Sequence, residues 1–274
     1  MVNEEALKNS RKYYFNVNYF DEINTETKAY WLGFLYADGN VYIQKGKNGQ
    51  SKGGRVEISL QESDMYHLKK LLNDISADDD FPIDKKTTQL NDKTYISYRV
   101  LLNSIDMCKQ LIAHGCVPQK SLILKPPNID DKLICHFIRG YFDGDGCVSY
   151  NSINHNSIAN ILGTKEIIEY IRDKSGILSK NIRCLKNGIT HSLYFDSNSD
   201  LVIFYNYIYN DASVYLDRKK DKYDQFIDYI KKHKCELFVN AMSDDHYIKY
   251  KKRGIPVVGI SKDLSDIRIY ESAS

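Results

Sequence analysis

"IRGYFDGDG" (residues 138–146) and "WLGFLYADG" (residues 31–39) share an unusual ending. Each is an apolar run with helical spacing that stops at an Asp-Gly pair, and Asp145 follows Asp38 by 107 positions. In the first copy Ala29, Gly33 and Ala37 recur at every fourth residue. In the second, His136, Gly140 and Gly144 hold the same places. Residues four apart share one helix face, and small residues there let two backbones approach closely. The pattern predicts two helices packed side by side about a pseudo-twofold axis, with both ends at one level.

The segments after each copy repeat as well. The first predicted helix covers 26–37, capped by Asn24 or Thr25 and stopped by Gly39, and strands are expected at 40–44 and 55–60. In the second strand Val56, Ile58 and Leu60 alternate with Arg55, Glu57 and Ser59, the period of a half-buried strand. A helix over 63–75, a strand over 94–102 and a helix over 104–115 follow. The second copy gives a helix at 131–142, strands at 147–151 and 157–162, and a helix at 164–176. Then come a hairpin of 181–186 and 189–195 around Asn187-Gly188 and a helix at 197–209. Asn-Gly between alternating strands is a strong hairpin signal. The order α-β-β-α-β-β-α is read in both copies, as in a tandem duplication. The expected fold is α+β, with two pseudo-symmetric αββαββα halves. Each half carries a four-stranded antiparallel sheet, and the repeated helices pack at the interface.

Composition narrows the class. An apolar fraction of 42% with 27% charged residues fits a folded globular chain. Lys+Arg at 38 against Asp+Glu at 36 leaves a net charge of only +2, so any polyanion must be met by local patches. One such patch is "KGKNGQSKGGR" at 45–55, with four basic residues and no acid; another lies in 218–234. No apolar run nears the ~18 residues of a membrane span, so no membrane partner is expected. The six cysteines show no CxxC spacing; they read as free thiols, most of them filling a core. The polar, charged start reads as a cytoplasmic protein of a bacterial, phage or organellar host.

The doubled ending has an electrostatic consequence. A helix C-terminus carries partial negative charge, so an Asp there costs ~0.3–1 kcal/mol. Two such ends side by side repel further. A divalent cation would become the dominant local charge and remove the conflict. Hard carboxylate oxygens favour Mg²⁺, which takes one or two carboxylates plus water and phosphate oxygens. The pair therefore reads as a metal site for phosphodiester chemistry. An EF-hand reading of "DGDG" fails, because the sixth position counted from Asp143 is Val148 where that loop needs Gly.

With these residues in view, the chain resembles the LAGLIDADG homing endonucleases of the monomeric, two-motif kind. The resemblance covers about 20–235, including "YFDEINTETKAYWLGFLYADG" and "GCVPQKSLILKPP" (115–127). It implies that Asp38 and Asp145 bind divalent metal and organise cleavage of both DNA strands, with the carbonyls of Ala37 and Gly144 as added ligands. Mn²⁺ is an alternative metal, and Ca²⁺ one for a non-cleaving complex. The family commonly places a basic residue near the metals. Lys120 and Lys219 fall at comparable points, with Arg218 as rival to Lys219, and Gln61 is a candidate for ordering water. The first motif has Tyr36 where the second has Asp143, so these two are read as supporting positions.

The resemblance also implies double-stranded DNA with a long, nearly asymmetric target lying across both sheets. Strand alternation gives each sheet a free face. The expected outward set is Gln44, Arg55, Glu57, Ser59, Ser97 and Arg99 in the first half, and Ser149, Asn151, Arg183, Lys186, Ser192 and Tyr194 in the second. The loop 45–55 would add phosphate contacts through Lys47 and Lys52. The expected organisation is an N-terminal arm at 1–23, halves at 24–128 and 129–235, and a linker plus partial module at 236–274. That last segment resembles the start of a nuclease-associated modular DNA-binding (NUMOD-type) unit, with strands at 256–260 and 267–270. The alternatives on the same fold are an RNA maturase acting on its own intron RNA and a DNA-binding protein without cleavage.

Overall fold

The computed structural model describes residues 12–46, 48–151, 156–177, 182–195, 198–232, 257–260 and 267–270. The first half runs α1 (Glu26–Asp38), β1 (Gly39–Lys45), β2 (Ser51–Gln61), α2 (Met65–Asp74), β3 (Asp84–Leu90), β4 (Lys93–Asn103) and α3 (Ile105–Ala113). The second runs α4 (Ile134–Asp145), β5 (Gly146–Asn151), β6 (Asn156–Gly163), α5 (Lys165–Ser175), β7 (Ile182–Cys184), β8 (His191–Tyr194) and α6 (Asn198–Tyr209). A further helix, α7 (Asp217–Lys232), follows. The two four-stranded sheets have the same antiparallel order, β1-β2-β4-β3 and β5-β6-β8-β7. The expected αββαββα repeat is therefore the observed architecture.

The helix pair is built around its glycines. A Cβ on Gly33 would strike the backbone carbonyl of Phe137, and a Cβ on Gly140 would strike that of Tyr30. The contact is reciprocal, as a twofold crossing requires. One turn further on, Gly144 lies against the Cβ of Ala37. The aromatic and aliphatic residues of both helices, from Trp31 and Phe34 to Phe137 and Phe142, are buried in one cluster shared by both halves.

Gly39 and Gly146 end the helices differently from an ordinary helix stop. Neither is left-handed: their φ,ψ values are −78°,146° and −77°,143°, so each helix passes directly into a strand. Glycine is required for space, since a Cβ would collide with Leu35 or Phe142 of the preceding turn. Ser104, Thr164 and Thr25 cap α3, α5 and α1 through side-chain oxygens.

Two strands differ from expectation. β2 starts at Ser51, so half of the anticipated 45–55 loop is strand and pairs with β1. β3 carries no apolar alternation ("DKKTTQL") and is exposed throughout, which is what an edge strand with both faces wet allows. Its hairpin to β4 turns at Asn91 and Asp92, both at positive φ (48° and 59°), a primed-turn signature written with Asn-Asp instead of Asn-Gly. The Asn187-Gly188 turn forms as expected, with Asn187 Oδ1 accepting from the N–H groups of Ile189 and Thr190. β9 (Val257–Ile260) and β10 (Ile267–Tyr270) pair antiparallel. Of the five described cysteines, Cys108 and Cys116 are buried; Cys147 and Cys184 are exposed and fill no core.

The crossing gives a stability prediction. Gly140→Ala places a methyl where the Tyr30 carbonyl lies, and no rotamer can move it away. The overpacking is expected to cost about 1–3 kcal/mol, against a helix-propensity gain of ~1 kcal/mol. Urea unfolding should show a lowered midpoint for Gly140→Ala. Gly53→Ala, where an added Cβ meets nothing closer than 3.9 Å, should leave the midpoint nearly unchanged, and an equal drop there would mean that the crossing is not the cause.

Candidate active site

Each half supplies one carboxylate, one motif-helix end and one lysine. Asp38 and Asp145 are the last residues of α1 and α4, and both side chains remain open to solvent. They lie in each other's field. Burial of its surroundings and then the charge of Asp38 push the Asp145 carboxyl up to about 6. Asp38 is also raised, mainly by burial, while Lys219, Lys120 and Arg218 oppose the rise. Neither aspartate forms an ion pair with a basic side chain among the described residues.

The lysines are placed by the same symmetry. Lys120 Nζ donates to Gly39 O and Lys219 Nζ to Gly146 O, the two glycines that follow the paired aspartates. Lys219 also donates to Phe142 O (2.5 Å), Asp143 O (2.7 Å) and, at 3.4 Å, Gly144 O. Both side chains are buried (8% and 1% exposed), so neither is an ordinary solvated lysine. Lys219 neutralises free carbonyls of the α4 C-terminus, where a cation is favoured, and Lys120 the first carbonyl after α1. Burial still pulls the Lys219 ammonium down to about 8, against the support of Asp143.

Tyr36 and Asp143 take matching supporting positions. Tyr36 Oη donates to His114 O (2.5 Å), fixing the segment that leads to Lys120. Asp143 is buried and accepts from Tyr30 Oη (2.8 Å), Tyr209 Oη (2.6 Å) and Leu216 N (2.8 Å), fixing the segment that leads to Lys219. The Tyr30 proton is thereby committed to Asp143. His67 Nε2, 2.9 Å from Tyr30 Oη, must then be the donor of that pair.

The segment before Lys219 is stitched to the opposite half. Glu26 accepts from Ser213 N (2.8 Å) and from Arg139, whose Nε donates to Val214 O (2.8 Å). Lys70 reaches Tyr215 O (3.1 Å) and Asp217 (2.7 Å). Arg218 Nε donates to both oxygens of the buried Asp64, at 2.9 and 2.8 Å. Gln61 is exposed at the end of β2, and its Nε2 also donates to Asp64 (2.9 Å). These cross-half partners are separated by up to 187 residues, so no local motif could announce them.

The donor set fits a hard divalent cation. Two solvent-open carboxylates meet without a basic partner, and a cation would relieve the charge that raises Asp145. Among the described residues no group of three or more His, Cys, Asp or Glu gathers, so water or phosphate oxygens would complete a shell. Ala37 and Gly144 lie in contact at this level. The Gly144 carbonyl is shared with Lys219, which competes with any metal for it.

On the first sheet, Val41, Val56, Ile58, Val100 and Leu102 face the core. Gln44, Ser59 and Lys52 are exposed, and Arg55, Glu57, Ser97 and Arg99 are half-buried on the free side. Charges alternate across the strands: Glu57 lies 3.8 Å from Arg55 and 3.9 Å from Arg99, which lies 3.4 Å from Asp84. On the second sheet Ser149, Asn151 and Arg183 are exposed, and Arg183 stacks over Tyr194 (4.7 Å). Lys186 is exposed but lies in the hairpin turn. Lys47 lies outside the described residues.

Ser192 departs from expectation. It is fully buried, because β8 lies inside the sheet and its register partners Leu162 and Arg183 cover it on both sides. The free faces also carry apolar residues absent from the expected polar set: Tyr42 (52% exposed), Ile158 (54%) and Leu162 (39%). The register places Ile158 beside Ser149 and Leu162 beside Ser192. Strand alternation from Ala159 and Ile161 would have found them, since those two face the core.

No protein-family model and no curated protein matches the chain. Among solved structures it is similar to meganuclease I-SmaMI bound to uncleaveable DNA with a TTCT central four. The TM-score is 0.48 at 12% identity, over 84% of this chain and 98% of that one. It is also similar to the I-LtrWI LAGLIDADG homing endonuclease bound to target DNA (TM-score 0.44, 15% identity, 87% and 97% covered). A third similar structure is the I-SmaMI LAGLIDADG homing endonuclease bound to cleaved DNA (TM-score 0.44, 14% identity, 82% and 94% covered). At that distance the architecture rests on the strand order and the helix pair themselves.

The buried network predicts acid sensitivity. Burial pushes His67 down to about 3 from 6.5. Between those values the unfolded chain binds a proton that the folded chain refuses, so stability is lost as pH falls from 6.5. The slope contributed is at most ~1.4 kcal/mol per pH unit. Urea unfolding at pH 7.5 and 5.5 should show this loss in the wild type and a smaller one in His67→Gln.

Proposed function

We propose that the chain is a site-specific, double-stranded DNA endonuclease of the homing type, acting as a monomer. One observation carries the reading: Asp38 and Asp145 end two glycine-crossed helices side by side, each with a buried lysine on the carbonyls beside it. Asp38 and Asp145 would hold Mg²⁺ or Mn²⁺, with the Ala37 and Gly144 carbonyls at the same level. Such an ion, when bound, stabilises charge developing on the scissile phosphate and activates water.

The chain's own residues do the positioning. Lys120 and Lys219 hold the helix ends against their mutual repulsion. Tyr36 and Asp143 fix the segments that carry those lysines. Gln61, exposed at the end of β2 and bonded to Asp64, suits a water-ordering role. The free sheet faces offer arginine, serine, glutamine and asparagine groups to base edges in the major groove, and Lys52 to the phosphate backbone. Ile158 and Leu162 match the one apolar group a base pair shows there, the thymine methyl.

The test is metal-dependent cleavage of a plasmid carrying a target selected from a randomised duplex library. Wild type should linearise it with Mg²⁺ and bind without cutting in Ca²⁺, while Asp38→Asn and Asp145→Asn should each cut at least 10³-fold more slowly, about 4 kcal/mol of transition-state stabilisation. Full cutting by both variants would sink the mechanism. Specific binding with no cutting by wild type would favour a DNA-binding protein, and tight intron RNA binding with splicing that survives both variants a maturase. On the same target, uracil for thymine under the second sheet should weaken binding roughly fourfold per methyl, ~0.8 kcal/mol. Ile158→Asn should erase part of that difference.

A further inference from the structure

The two catalytic neighbourhoods are not equivalent. Lys219 is preceded by Arg218, but Lys120 is preceded by the uncharged Gln119. Helix α2 is preceded by Asp64, but α5 is preceded by Thr164. The cross-half contact is thus a charged pair on one side, Arg218 on Asp64. On the other it is a neutral bond, Thr164 Oγ1 to Leu124 O (2.6 Å). Asp64 is 5% exposed, and the Arg218 side chain is 41% exposed. The ion pair uses the guanidinium Nε alone, at 2.9 and 2.8 Å. Its two terminal amino groups are left to present a fork, the arrangement that grips a phosphate bidentately. Asp64 and Gln61, which shares its carboxylate, both belong to the half that carries Asp38. Lys120 and Lys219 are both spent on backbone carbonyls.

We propose that Arg218, aimed by the buried Asp64, is a phosphate-contacting residue on the Asp38 side with no counterpart on the Asp145 side, so the two DNA strands are cut in a fixed order. The strand gripped by Arg218 is cut first. This rests on the endonuclease reading and adds an order to it. Asp64 is a positioning residue, holding Nε so that the terminal amino groups stay free for a phosphate. Gln61, bonded to the same carboxylate, marks the same side.

The experiment follows each strand separately. A supercoiled plasmid with the library-selected target is cut by wild type with Mg²⁺ and sampled over time, and each sample is then linearised elsewhere and end-labelled to read each strand. Nicked circles should accumulate with all nicks in one strand. Arg218→Gln, which copies Gln119, should slow that first cut about 10- to 100-fold, the size of a lost charge-assisted hydrogen bond, and leave the other strand within about threefold. Asp64→Asn should reduce the first-strand rate selectively, and Asp64→Glu should restore part of it. A merely structural role would slow both strands together. Equal strand rates in wild type, or equal slowing by Arg218→Gln, would overturn the order while leaving the endonuclease reading intact. Absence of any cleavage by wild type would instead remove both.

Discussion

The reciprocal contact of Gly33 with Phe137 and of Gly140 with Tyr30 is the constraint on which the rest depends. Backbone against backbone is the closest approach two helices can make. It fixes the crossing point, and from there one more turn brings each helix to its aspartate. The distance between the carboxylates is therefore set by glycine, not by the aspartates. Because each helix runs into a strand with no intervening turn, the crossing also orients the two sheets. Geometry that close has an electrostatic cost: two helix ends of partial negative charge and two acids converge. The buried ammonium groups of Lys120 and Lys219 bond the carbonyls at the helix ends, and the two carboxylates are left without an ion-pair contact among the described residues.

Much of this was legible in the sequence because it is written twice. The glycine stripe, the Asp-Gly endings and the spacing of Lys120 and Lys219 each have a partner half a chain away. Repetition separates them from ordinary helix stops and surface lysines. What was illegible lacks a repeat or a local pattern. β3 has no apolar face to reveal it, since an edge strand with both sides wet needs none. Ser192 reads as outward by alternation, but its burial is decided by neighbours on two other strands. Ile158 and Leu162 were legible after all, since alternation from the core-facing Ala159 and Ile161 turns them outward. The stitching of 213–218 to Glu26, Asp64 and Lys70 depends on contacts across the whole chain.

That stitching changes what a half is. The segment carrying Lys219 belongs to the second half by sequence, but half of its anchors belong to the first. Ser213, Tyr215, Asp217 and Arg218 all meet first-half residues, while Val214 and Leu216 meet Arg139 and Asp143. Lys219, and with it the carbonyls at the end of α4, is thereby tied to the docking of the halves. Loosening their interface would displace it before the sheets themselves came apart.

The buried carboxylate of Asp143 has a consequence for how the halves can pair. Two of its three donors come from its own half, and the third is the hydroxyl of Tyr30. The residue that answers to Tyr30 in the second motif is Phe137, which has no hydroxyl to give. Likewise the place of Glu26 is taken by Leu133, and that of Asp64 by Thr164. A second half pairing with a copy of itself would keep the glycine crossing but leave Asp143 short of a donor and Arg139 and Arg218 without their acids. Self-pairing of the second half is thereby closed off: it depends on groups that only the first half supplies.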